Sequence, residues 1–308
     1  MGNYLVTGAA GFIGSAIAHR LEAEDHENTA IDNLRSGFRE NLPKSARFIE
    51  GGCQDKSTYR ELGSQKFDAI YHLAGQSSGE ISFDDPVYDL QTNTQSTLYL
   101  LNYALENGCD RFLYASTMSV YGAQPEEPID ENRAQKPLSF YGVGKIASEH
   151  YLRIYEDHGI RSTALRLFNV YGPGQNLNNL RQGMVSIFLI MALRDKKVHV
   201  KGHADRFRDF VYIDDVVEAF LRCENNPSTH GRVFNVGTGL KTTIGELLNN
   251  MKSHITHPVD TLFDGGTPGD QFGIFADTSA LDEVLGWKPE VQLKEGLKRM
   301  VKWAKGTL

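Results

Sequence analysis

A phenol and an ammonium stand four residues apart in Tyr141-Gly142-Val143-Gly144-Lys145, which puts them one turn apart on the same face of a helix. The chemistry open to such a pair is proton transfer. A fixed cation stabilises tyrosinate, lowers the phenol's pKa towards working pH and makes Tyr141 a base. A hydroxyl partner, Thr117, lies 141 − 117 = 24 residues earlier, at the end of the β-rich run Phe112–Ser116. Strand ends facing the crevice are where open α/β sheets bind ligands. There Thr117 can donate to a substrate oxygen or share its proton. Thr117, Tyr141 and Lys145 are the candidate catalytic set.

A second group of residues binds rather than reacts. The first strand-like run leads into Thr7-Gly8-Ala9-Ala10-Gly11-Phe12-Ile13-Gly14 and then a helix. Gly8 permits a tight turn, Gly11 lets the backbone approach a pyrophosphate, and Gly14 lets the helix pack close to the strand. The helix N-terminus then turns its amides and partial positive charge towards the phosphates. Asp32 follows 32 − 14 = 18 residues on, at the end of the second strand. It is placed to accept hydrogen bonds from the adenosine ribose and to repel a 2′-phosphate, which favours NAD over NADP. The positive nicotinamide of such a cofactor would join Lys145 in stabilising a Tyr141 anion.

These side chains need a frame, and the sequence supplies it by alternation. Strand candidates are Tyr4–Thr7, Thr29–Asp32, Arg47–Glu50, Ala69–Leu73, Phe112–Ser116 and Thr163–Phe168. Helical patterns fill the gaps, among them Phe12–Glu24, Pro86–Glu106 and Ser139–His158; the last two end at Asn107-Gly108 and His158-Gly159, as glycine stops should. Strand–helix alternation implies right-handed crossovers and a doubly wound parallel α/β sheet. After about Asn169 the pattern loosens into loops, tightens at Phe210–Cys223 and Val233–Val236, and ends in an amphipathic helix at Lys294–Lys305. The expected division is a dinucleotide-binding domain over 1–168, to which 209–236 returns, and a smaller substrate lobe from 169–208 and 237–308.

Composition excludes other classes. A length of 308 residues suits one large α/β unit, or a nucleotide-binding domain with a smaller lobe attached. No run approaches the ~18 consecutive apolar residues of a membrane span. The strand-like Tyr4-Leu5-Val6 leaves no signal peptide, and Cys53, Cys109 and Cys223 lie far apart without a Cys-x-x-Cys. Both features fit a reducing cytoplasm. The net charge is −7 and the dense basic patch is only Arg206 and Arg208, so no nucleic-acid partner is expected. His199 and His203 are four apart, but Val198-His199-Val200 reads as strand, and no metal site is expected.

The motifs taken together resemble the nucleotide-sugar epimerase/dehydratase group of the extended short-chain dehydrogenases/reductases. Besides Gly-x-x-Gly-x-x-Gly and Tyr-x-x-x-Lys, the chain carries His72-Leu73-Ala74-Gly75 and Asn93, then Ser116-Thr117-Met118-Ser119-Val120-Tyr121-Gly122. Farther on come Arg166-Leu167-Phe168-Asn169-Val170-Tyr171-Gly172-Pro173-Gly174, Arg208-Asp209-Phe210-Val211-Tyr212-Ile213-Asp214-Asp215-Val216, Asn235-Val236-Gly237 and Pro268-Gly269-Asp270. The resemblance covers nearly the whole chain and implies a Rossmann-type fold with NAD as cofactor. By it, Asp55 would bind the adenine, and Phe12, Ile13, Asn33, Leu73, Ala74, Gly75, Asn93, Ser116, Phe168 and Val170 would join the dinucleotide site. Asn169 and Arg208 would hold the sugar-nucleotide diphosphate and Asp270 the nucleotide end. It also implies a homodimer made by pairing helices 86–106 and 139–158 as a four-helix bundle, consistent with their surplus apolar residues Tyr99, Ala147, Tyr151 and Ile154.

Members of this group begin by oxidising a sugar hydroxyl, and later steps distinguish them. Dehydratases of the group carry Asp-Glu directly after the threonine, and related decarboxylases carry Glu at the second of those positions. Here they are Met118 and Ser119, which cannot supply that acid and base. The surviving set of Thr117, Tyr141, Lys145 and NAD suits epimerisation at C4 of a UDP-hexose, UDP-N-acetylhexosamine or UDP-uronate through a transient 4-ketone. Two positions leave the substrate open. Thr267 stands where UDP-sugar members have arginine, so either Arg181 supplies the charge or the base is not uracil. Ile274 lies between the large residue that goes with plain hexoses and the small one that goes with N-acetylated sugars. Ser119 or Thr117 could meet a uronate carboxylate. A keto-sugar reductase using NADPH shares almost every motif but is disfavoured by Asp32, and a non-catalytic dinucleotide sensor has no use for Tyr141 and Lys145.

Overall fold

The computed structural model of the chain describes residues 1–125, 127–266 and 271–308. Its frame is a parallel sheet. Strands β1 (Asn3–Thr7), β2 (Glu27–Asp32), β3 (Arg47–Glu50), β4 (Ala69–His72), β5 (Arg111–Thr117) and β6 (Arg161–Leu167) fall on the six expected runs to within two residues at either end. They stand in the order β3-β2-β1-β4-β5-β6, all parallel. The order reverses beside β1, so the carboxyl ends of β1 and β4 open a crevice where the chain crosses from one half of the sheet to the other.

Helices α1 (Phe12–Ala23) and α2 (Lys56–Leu62) connect the first strands, and α5 (Phe140–Glu156) connects β5 to β6. The stretch expected as one helix over 86–106 is interrupted. It comprises α3 (Pro86–Leu90), one π turn at Gln91–Gln95, and α4 (Ser96–Glu106). The wider turn turns the Asn93 carbonyl towards α5, where it accepts the Ser148 hydroxyl at 2.7 Å. Such bulges cluster at functional sites.

Beyond Asn169 the chain is more regular than its loop-like composition suggests. Strand β7 (Asn169–Tyr171) precedes α6 (Met184–Arg194), β8 (Lys197–Lys201), β9 (Phe207–Arg208) and β10 (Phe210–Tyr212). Helix α6 reads Met-Val-Ser-Ile-Phe-Leu-Ile-Met-Ala-Leu-Arg and is apolar nearly all round, so it has no 3.6-residue stripe for the eye to find. Then come α7 (Ile213–Glu224), β11 (Arg232–Val236), β12 (Thr242–Thr243), α8 (Ile244–Lys252), β13 (Asp260–Asp264), α9 (Ser279–Leu285) and α10 (Leu293–Thr307). Strand β11 pairs with β6 and is the seventh strand of the main sheet, while β7–β10, β8–β13 and β9–β12 form small pairs beside it. A Thr243–Glu246 capping box starts α8.

One buried apolar cluster runs from Val6 and Ile17 through Phe188 and Val198 to Trp287 and Met300, so sheet and C-terminal residues share a core. Trp287 is held there by its Nε1, which donates to the Asp215 carbonyl at 3.2 Å. The Asp215 carboxylate accepts from Glu290 and Val291 amides. No helix among the described residues is long and apolar enough to cross a membrane, and none of their His, Cys, Asp and Glu cluster as a metal site would need.

Candidate active site

The crevice at the sheet's reversal is a cleft of about 550 Å³. Its floor is the glycine turn after β1. Gly8 has φ +67°, and a Cβ there would lie 2.7 Å from the Ala74 amide nitrogen; a Cβ on Gly14 would lie 2.1 Å from the Gly8 carbonyl oxygen. Both close approaches require glycine. At Gly11 a Cβ would meet only the Gly8 oxygen, at 3.1 Å, so the side facing the cleft stays clear for a ligand. Asp32, at the end of β2, accepts from the Ala10 amide at 3.0 Å and the Leu34 amide at 2.8 Å. Burial raises its pKa against those hydrogen bonds, and it lines the cleft beside Asn33.

Phe12, Ile13, Leu73, Ala74, Gly75, Ser116, Phe168 and Val170 also line the cleft. Two acceptors in its wall, Asn169 Oδ1 and Gln175 Oε1, are buried without a hydrogen-bond partner among the described residues. A cradle cleared of Cβ atoms, a helix N-terminus, a carboxylate at the ribose position and orphaned acceptors fit a dinucleotide with a polar co-ligand.

Three expected site residues stand outside the cleft wall. Asp55 begins α2 outside the cleft wall, which at that end is formed by Cys53 and Gln54. Asn93 is buried behind Gly75, where a Cβ would come within 2.3 Å of its Oδ1, and its amide donates to the Gln76 carbonyl at 2.9 Å. It therefore shapes the wall without lining it. Arg208, on β9, is buried outside the cleft wall and donates to the carbonyls of Phe207, Phe272 and Gln271; burial, then Arg206, pulls its pKa down to about 9. Asp270 and Thr267 lie outside the described residues. Arg181, the substitute charge considered for the diphosphate, is engaged by Asp84 at 2.6 Å and Glu80 at 3.8 Å.

The catalytic candidates converge. Thr117 ends β5 and its Oγ1 accepts from the Ser119 amide at 3.1 Å, which starts a 3₁₀ turn over Met118–Val120. Ser139 caps α5, its Oγ accepting from the Gly142 amide at 3.2 Å, and so fixes the first turn that carries Tyr141. Lys145 donates to the Ala115 carbonyl at 2.9 Å, with its Nζ 5.8 Å from the Tyr141 ring centroid and 4.8 Å from that of Tyr114. The expected lowering of the phenol is not produced by the chain alone. Burial pushes Tyr141 up to about 12; hydrogen bonding with Thr117 pulls it down and the charge of Asp89 pushes it up. Burial also pulls the Lys145 ammonium down to about 8, against the charges of Asp89 and Glu149.

Two buried acids were not singled out in the sequence. Glu149 joins three elements: it accepts from Ser116 on β5 and, through both oxygens, from Arg166 on β6 at 3.0 and 2.7 Å. Arg166 also donates to the Tyr121 hydroxyl, which in turn donates to Asn235 on β11 at 2.6 Å. Thr117 is thereby set between a neighbour tied to α5 and a turn tied to the sheet edge. Asp89, on α3, accepts from Gln76 at 2.8 Å and Asn93 at 3.2 Å. Its sequence signal is its position one turn before Asn93 on the same face.

Residues 4–237 match the NAD dependent epimerase/dehydratase family. The chain is 36% identical to the UDP-glucose 4-epimerase of Mycolicibacterium smegmatis over 97% of each sequence. Among solved structures, it is similar to the Thermotoga maritima UDP-glucose 4-epimerase with UDP-glucose, at 36% identity, a TM-score of 0.92 and 99% of each chain covered. It is also similar to the Methanobrevibacter ruminantium UDP-N-acetylglucosamine 4-epimerase in complex with UDP-N-acetylmuramic acid, at 30% identity, a TM-score of 0.93, and 100% of this chain and 99% of that one. With the glycine cradle, Asp32 and the Thr117–Tyr141–Lys145 convergence in place, this chain belongs to the NAD-dependent epimerase/dehydratase family.

Proposed function

We propose that the protein interconverts the C4 epimers of a UDP-linked sugar through a transient 4-ketone. The observation that carries this is the set of side chains at the Thr117 end of the cleft. Among the described residues there, Tyr141 and Lys145 are the proton-transfer groups, and Met118 and Ser119 follow the threonine. Eliminating water, or losing a carboxyl group with control of the product, needs a further acid and base. Returning hydride to the other face of the same carbon does not.

The residues divide the work by position. Gly8, Gly11, Gly14 and the start of α1 hold the pyrophosphate, and Asp32 accepts the ribose hydroxyls. Bound NAD supplies a hydride acceptor that is restored at the end of each turnover. Tyr141 takes the proton of the C4 hydroxyl on its phenolate oxygen and returns it to the ketone oxygen. Thr117 hydrogen-bonds that same oxygen, and the Lys145 charge favours the phenolate. Asn169, in the cleft wall, serves the diphosphate side, with 169–208 and 237–308 as the lobe that holds the sugar nucleotide. The three free, buried cysteines suit a reducing cytoplasm, and the exposed apolar face of α3 and α5 suits a homodimer.

The test is a panel of UDP-glucose, UDP-N-acetylglucosamine and UDP-glucuronate, incubated with the purified protein without added cofactor and followed by NMR. At least one should give its galacto epimer. A 4,6-dehydrated product, or turnover only when NADPH is added, would replace epimerisation by dehydration or reduction.

A further inference from the structure

An ammonium removed from water is stable only near a compensating charge. Lys145 is 3% exposed, and its one hydrogen bond among the described residues goes to the neutral carbonyl of Ala115. The groups facing it can be taken element by element. From β5 comes Tyr114, whose phenol burial drives far above its ordinary value. From β4 comes His72, fixed between Thr7 at 2.8 Å and Thr97 at 3.1 Å and kept neutral by burial and by Lys145 itself. Its own helix presents Tyr141 and Glu149, and α3 presents Asp89.

Of the two acids, Glu149 is already committed, with both oxygens on Arg166. Asp89 is not. It is 1% exposed, and its Oδ2 accepts two neutral amides, Gln76 and Asn93, while its Oδ1 has no hydrogen-bond partner among the described residues. That bare oxygen faces α5 at Gly144, the residue next to Lys145, where a Cβ would lie 3.6 Å away. Glycine at 144 lets α5 approach α3 this closely. We infer that Asp89 is the counter-charge of Lys145, a positioning residue that acts across Gly144 to keep the ammonium protonated beside Tyr141.

The electrostatics agree with that geometry. Burial pulls Lys145 down to about 8 and pushes Asp89 up to about 6, and each charge opposes the other's shift. Both groups are therefore charged around neutral pH. Asp89 lies outside the cleft wall. Its hydrogen bonds to Gln76 and Asn93 give it a structural role as well, so the test must separate charge from shape.

The consequence for catalysis rests on the proposed epimerisation, but the charge pairing does not. The decisive measurement is the Lys145 pKa, read by NMR on ¹³C-lysine-labelled protein carrying its cofactor, in wild type and Asp89→Asn. Asparagine keeps the volume and removes the charge. The Lys145 pKa should fall by about one pH unit or more, and the alkaline limb of C4 inversion should move down with it. Asp89→Glu, which keeps the charge, should retain the wild-type limb even if turnover drops. An unchanged Lys145 titration in Asp89→Asn overturns the inference, as does a loss of rate that is uniform across pH. Should Asp89→Asn fail to fold, the reciprocal experiment decides: removing the cation by Lys145→Met should raise the Asp89 carboxyl pKa, and an unmoved carboxyl overturns the pairing. If wild type inverts none of the sugars, the functional reading fails while the titration still answers the question asked here.

Discussion

Tyr141 sits where its own surroundings make it a poor base. Burial holds the phenol at about 12, and Thr117 only partly offsets this. The anion needed for turnover thus depends on positive charge brought close to the ring, which makes Lys145 more than a packing residue. Tyr141→Phe keeps the ring and removes the oxygen, so fold and cofactor content should survive. The rate of C4 inversion should fall by roughly two to four powers of ten, equally in both directions, since one base serves both epimers. Lys145→Ala should cost as much or more, Thr117→Val less, and the losses should not add, because the three act as one unit. Steady-state rates of single and double variants check this; near-normal turnover in Tyr141→Phe would remove it from the reaction. These residues were legible in the sequence because their relation is local, one helical turn for Tyr141 and Lys145 and one strand end for Thr117. Glu149 was not, since its partners Arg166 and Ser116 come from other elements, and Asp89 only through its spacing to Asn93, since Gln76 reaches it from another part of the chain.

The elements were legible to the extent that each buries one face. All six expected strands and α5 formed where alternation and glycine stops put them, whereas α6, buried on nearly all sides, carries no stripe. The π turn at Gln91–Gln95 was also hidden: no glycine or proline breaks its own sequence, and the carbonyl it turns outward meets the Ser148 hydroxyl on a different helix. A strand-level consequence follows from His72. Its ring links Thr7 on β1 to Thr97 on α4 and is fully buried, with its pKa well below the ordinary value of 6.5. An unfolded chain takes up a proton there at about pH 6.5 and below, while the native ring cannot. This contribution to stability is present above about pH 6.5 and is lost as pH falls towards the native pKa. Thermal midpoints measured between pH 8 and pH 5 should therefore drop, and the drop should be shallower in His72→Asn, itself less stable at pH 8. An identical pH dependence in the two proteins would show that other groups set the acid limit.

At the scale of the whole molecule, the surface is not evenly polar. Val87 and Leu90 on α3 are 66% and 56% exposed, and Val143 and Ile154 on α5 are 52% and 48% exposed, with Tyr99 on α4 and Ala147 and Tyr151 on α5 half-buried. Large apolar side chains gathered on adjoining helices mark an association face. Sedimentation should give a dimer at micromolar concentration, and charged substitutions at Val143 and Ile154 should yield monomers; a wild-type monomer would sink the assignment. The chain beyond Asn169 was the least legible part, because its strands are short and pair across long stretches of chain, as β8 does with β13. The same feature governs the sheet. Strand β11 begins 232 − 167 = 65 residues after β6 ends, yet it occupies the place beside it. During synthesis, six strands can align while the outer row of β6 amides and carbonyls is still bare. Such an edge invites pairing with another nascent chain until its own partner emerges. The strand that the ribosome delivers last to this sheet is therefore the one that closes it, and the interval between β6 and β11 is when the growing polypeptide most needs protection from its neighbours.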